Sequence, residues 1–124
     1  DFLITSINPL PGFMTDWYEI YNDLRINPYA PFTAIGEIFS YKSVPIYFYF
    51  IVGWLFSYSE RVISELFREK KVFIGFILFL VISAFVPYSF EYNLRSSVRF
   101  LYYSLFIILT IMFISKYKFI KWKY

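Results

Sequence analysis

The chain contains no cysteine and no histidine. Without cysteine there is no disulfide framework, no thiol nucleophile and no thiolate metal site. Without histidine it lacks the commonest metal ligand and the usual general base near neutral pH. Serine–histidine–aspartate, cysteine–histidine and HExxH chemistries are therefore excluded, and neither a metal nor a cofactor is expected. Charge is also scarce, at 17% of 124 residues, against about 25% in typical soluble domains. Low charge combined with 59% hydrophobic residues argues against disorder, which needs the opposite balance. What the chain has in excess is aromatic surface: 17 Phe, 13 Tyr and 3 Trp. Small domains bury the smallest share of their chain, so a soluble fold of this size would leave much of it in water. The expected surroundings are lipid.

Three uncharged runs carry that expectation. Val44–Ser59, Val72–Val86 and Phe100–Ser115 hold 16, 15 and 16 residues. As helices each covers roughly 22–24 Å of a hydrocarbon core of ~30 Å, and interfacial Tyr with snorkelling Lys and Arg make up the difference. None shows the polar face of a helix in a soluble bundle. The expectation is an all-α, polytopic membrane protein with three transmembrane helices at about 44–59, 72–86 and 98–115. The second is expected to close at Pro87.

The charges then give an orientation. Residues 60–71 and 116–124 fall on one face, with eight of the twelve basic residues and a net charge of +5. Residues 1–43 and 87–97, with Arg99 at the mouth of the third span, fall on the other, with a net charge of −2. The positive-inside rule makes 60–71 a cytoplasmic loop, 116–124 a cytoplasmic tail and 87–97 an outer loop. The pI of about 9.1 thus reflects juxtamembrane charge, and nucleic acid is not an expected partner. Residues 1–43 form an extracytoplasmic segment and 44–124 a membrane domain. INPLPG at 7–12 and NPYAP at 27–31 break the outer segment, because each proline fixes φ and removes a donor. Between them Asp16–Leu24 suits a short helix capped by Thr15 or Asp16, and Phe32–Ser40 suits an interfacial one. The start at Asp1 reads as that of a processed chain or, preferably, a fragment.

Few residues are placed to do chemistry. Glu37 lies in an apolar setting before the first span, where an acid is expensive unless paired; the plainer alternative is a carboxylate facing water. Arg95 and Arg99, in NLRSSVRF, share a helix face, and two guanidiniums side by side suit a diphosphate. Ser96 or Ser97 would cap the helix that follows and add a favourable dipole. The alternative is that both arginines only anchor the span. Arg25 either meets substrate or pairs with Asp23 or Glu19.

INPLPG at 7–12, PFTAIGEIF at 31–39 before a Gly-containing span, and RSSVR at 95–99 before a Lys-rich tail occur in the order of a known family. In these features the chain resembles the C-terminal portion of bacterial O-antigen and exopolysaccharide repeat-unit polymerases, the Wzy family. That resemblance implies a GT-C-like helical fold in the inner membrane, with further spans preceding this segment. It implies a glycosyltransferase activity, in which a glycan passes from one undecaprenyl-diphosphate carrier to the sugar end of another carrier-linked oligosaccharide, outside the cytoplasm and without metal. Carried onto this sequence, Arg25, Arg95 and Glu37 would be catalytic. Arg99 would bind the diphosphate, with Trp17 and Tyr29 against sugar faces. A fragment of a flippase or transporter, and a small membrane subunit acting only by helix packing, stay open beside it.

Overall fold

The computed structural model describes residues 2–15, 17–23 and 33–121. Among them there is no strand. The helices are α1 (Phe2–Ile7), α2 (Trp17–Asp23), α3 (Ala34–Phe39), α4 (Val44–Arg68), α5 (Val72–Glu91) and α6 (Leu94–Lys121), with a single 3₁₀ turn at Gly12–Met14. The long helices start where the apolar runs start, at Val44 and Val72. Their ends differ from expectation.

α4 does not stop at Ser59 but continues to Arg68 through the segment expected to be a cytoplasmic loop. Val62, Ile63 and Leu66 turn inward there while Glu60, Arg61, Glu65 and Arg68 stay exposed, which is a helical pattern. Beyond the cap at Glu69 the helix is closed by Lys70, the sole non-glycine residue with positive φ among those described, at 61°. The Lys70 N–H donates to Phe67 O at 3.1 Å and the Lys71 N–H to Leu66 O at 2.8 Å, a Schellman closure built without glycine. α5 runs on past Pro87 to Glu91. Pro87 removes the one N–H that would reach the carbonyl four residues back, and the buried Ser89 hydroxyl donates to Phe85 O and Val86 O, each at 2.8 Å, binding that turn together.

α4, α5 and α6 form an up–down–up bundle. Its core joins Val52 and Leu55 of α4, Leu78, Ile82 and Phe85 of α5, and Leu101 and Ile108 of α6. Ser59 and Ser104 are buried between the helices, each hydroxyl returned to the carbonyl one turn back at 2.8 Å. Small hydroxyls satisfied in this way let helices approach without leaving a polar group unpaired. Gly75 serves the same end, since a Cβ there would meet the Phe67 ring at 2.6 Å.

Among the described residues two helices, not three, are long and apolar enough to cross a membrane: α5, and α6 over Leu94–Ser115. α4, which holds the first of the three expected spans, falls short because Tyr47, Tyr49, Trp54, Ser57 and Tyr58 dilute its apolar half and charge occupies the other. The short helices gather at one end of the bundle. Ala34 and Ile38 of α3 pack on Leu94 and Val98 of α6, with Leu3, Ile7 and Val44 around them. The α4–α5 turn and Ser115 lie at the opposite end.

Candidate functional site

The capped end brings together three of the residues singled out in the sequence: Glu37, Arg95 and Trp17. Thr33 caps α3 by accepting the Gly36 N–H at 3.2 Å, so Glu37 falls on the inner face of that helix. The Ala34 N–H donates to Tyr92 O at 2.8 Å, and in return Glu37 Oε2 accepts the Leu94 N–H at 3.2 Å. α3 and the α5–α6 turn are thus stitched in both directions. Glu37 is 1% exposed, so it does not face water.

α6 begins earlier than the sequence suggested. Asn93 is the capping residue, its Oδ1 accepting the Ser96 N–H at 2.9 Å, so Ser96 and Ser97 lie inside the helix and do not cap it. The anion that the positive end of α6 favours comes from the chain itself, as the Glu37 carboxylate. Burial raises the pKa of Glu37 above its ordinary value, while the Ser6 hydroxyl and the Leu94 N–H pull it part of the way back. Ser6 Oγ faces the carboxylate, yet neither it nor Glu37 Oε1 completes a hydrogen bond.

Arg95 is 3% exposed. Its Nη1 donates to Thr5 O at 2.7 Å and its Nη2 to Leu10 O. Its guanidinium carbon lies 4.9 Å from the centre of the Trp17 ring, within cation–π range. The indole is 8% exposed and its face is taken up by this arginine. Tyr102, one helical turn beyond Arg99, donates to Ile7 O at 2.5 Å. Together Arg95 and Tyr102 hold the carbonyls where INPLPG leaves α1, groups that the prolines strand without intrahelical partners.

The expected pair of guanidiniums therefore separates by role. Arg95 points into the cap; Arg99 is exposed and has no hydrogen-bond or ion-pair partner among the described residues. Arg25 and Tyr29 lie outside the described residues. Sequence reading missed Ser6 and Tyr102, which face Glu37 and Ile7 O far away in the chain, and Asn93, whose partner Ser96 is three residues on; only Asn93, just before a helix-forming run, carries a local signal. Among the described residues no group of carboxylates is placed to hold a metal ion. Compared with protein-family models, curated proteins and solved structures, the chain matches none.

Proposed function

We propose that this chain is an integral membrane protein whose helical bundle crosses the bilayer, with the capped end outside the cytoplasm and the α4–α5 turn inside. The observation that carries this reading is the exposure of α5 and α6. Only 28% of the most apolar stretch of each is buried, whereas a soluble core helix of that composition would be mostly hidden. α4 packs along α5 and shares its setting, with Ile46, Phe50 and Ile51 bare on its outer side. On this reading Glu37, Arg95 and Trp17 fasten the outer segment to the bundle, and the protein works as a packed, capped helical unit. Extraction of membranes carrying the full chain tests it. The protein should stay in the pellet at alkaline pH and dissolve only in detergent; release by alkali alone overturns the reading.

A second reading is favoured by Arg99. It is a cation left exposed at the capped end, on the face otherwise poor in basic residues, which suits a lipid diphosphate. This supports the repeat-unit polymerase, with Arg99 as the diphosphate contact and the glycan joined at the inner membrane's outer face. Arg99→Ala in the full-length protein should then shorten the polymer while leaving the protein in the membrane. Unchanged polymer length would remove this reading and leave the first intact.

A further inference from the structure

α4 carries charge where its neighbour carries none. Glu60 and Arg61 are exposed and form no ion pair among the described residues. The rings of Phe48 and Phe56 both pack on Phe85, and Phe67 lies over Gly75. Glu60 and Arg61 fall between these contacts, beside the interior of α5 and not past its end. On α5 at that level, Phe76, Phe79 and Leu80 are bare. From Glu60 to the last turn of α4 is roughly 12 Å at 1.5 Å per residue, farther than the short glutamate stem can reach. An acid facing lipid at such depth is expensive unless it is paired.

The same face of α4 holds Gly53, Ser57 and Ser64, all exposed, and nothing lies within 4 Å of where a Gly53 Cβ would stand. The opposite face, through Val52, Leu55, Ser59 and Leu66, is the one buried in the bundle. At about 100° per residue, Ser57 and Ser64 mark the centre line of the bare face. Glu60 and Arg61 flank that line, roughly 50° to either side on the same helical pitch.

We propose that this face binds a second copy of the chain, α4 against α4 in parallel about a two-fold axis, with Glu60 of each copy paired to Arg61 of the other. The inference rests on the membrane reading above. A two-fold axis along the helices sets the acidic flank of one beside the basic flank of the other at nearly equal height, so both pairs form together. At the level of Glu60 and Arg61 the face holds one acid and one base, so it has no net charge there and complements itself; a partner bearing a single charge at that level would leave one of the two unpaired. Gly53 and the two serines allow the close backbone approach that helix pairs in lipid require.

The absence of cysteine makes the test clean. With Ser57→Cys as the sole thiol in the full chain in its membrane, mild oxidation should yield a disulfide-linked dimer, while Phe106→Cys on the lipid side of α6 should not. Adding Glu60→Arg should lower the Ser57→Cys cross-linked fraction at least tenfold, and adding Arg61→Glu to that should restore it. A thiol at 57 that is protected from water-soluble maleimide but stays monomeric overturns the dimer alone, and points to another occupant of the face. A thiol at 57 that maleimide labels readily overturns the membrane reading, and the dimer with it. If Glu60→Arg does not accumulate, the double charge swap decides by itself: it must cross-link like the parent, and failure to do so overturns the pairing.

Discussion

Replacing Arg95 by alanine should free the outer segment without unfolding the bundle. The guanidinium supplies two charge-assisted hydrogen bonds, to Thr5 O and Leu10 O, and a cation–π contact with Trp17. Such bonds contribute about 1.5–3 kcal/mol each and the ring contact about 0.5–2 kcal/mol. These terms do not simply add, because the released carbonyls regain water once the cap lifts. The expected loss of docking is therefore in the lower part of their combined range, about 3–5 kcal/mol. At 1.4 kcal/mol per tenfold, the undocked population should rise roughly a hundred- to a few-thousand-fold. Hydrogen exchange read by mass spectrometry on the full chain in detergent separates the cap from the bundle. Peptides covering residues 2–15 should lose protection by that factor, and peptides within residues 76–90 should not change. Arg95→Lys should fall between, since an ammonium cannot fork to both carbonyls, and Arg99→Ala should leave the cap protected. Unchanged exchange over residues 2–15 in Arg95→Ala would refute the pinning role. An equal rise throughout the chain would refute its local character.

Three further outcomes follow from individual contacts. Burial raises the pKa of Glu37 above its ordinary 4.5, so the folded state binds its proton more tightly than the unfolded one. Cap docking should be strongest below that ordinary value and weaken as pH rises through the raised one; Glu37→Gln, which stays neutral, should flatten this dependence in the same exchange experiment. Lys70→Gly should stabilise the chain by roughly 1 kcal/mol by relieving a left-handed backbone, seen as a higher melting temperature in detergent. Gly75→Ala should destabilise it by about 1–2 kcal/mol through overpacking against Phe67, and adding Phe67→Ala should recover part of that loss.

The uncharged runs located α4 and α5 at their first residues, because apolar length is written directly in the sequence. Their ends were harder to read. Glu60–Arg68 read as a loop since its charges drew attention from Val62, Ile63 and Leu66, which continue the buried stripe of α4. Lys70 gives no helix stop in the sequence because the closing residue is usually glycine, and Pro87 reads as a stop although α5 continues one more turn beyond it, bound by the Ser89 hydroxyl to Phe85 O and Val86 O. Glu37 stood out as an acid in apolar company, but its partner is the Leu94 N–H, and a backbone amide 57 residues away has no sequence signature. Arg95 reads as a ligand for an external anion for the same reason: the Thr5 and Leu10 carbonyls that engage it are invisible as residue types. Arg99 alone keeps the exposure that the sequence suggested for both arginines.

The central claim is that the capped end and the α4–α5 turn lie on opposite sides of a bilayer. Single cysteines at Phe13, 79% exposed in the cap, and at Lys70 in the turn test it most directly, with a membrane-impermeant maleimide on intact cells. Phe13→Cys should label at once and Lys70→Cys only after permeabilisation. Labelling of both in intact cells, or of Lys70→Cys alone, would contradict the account.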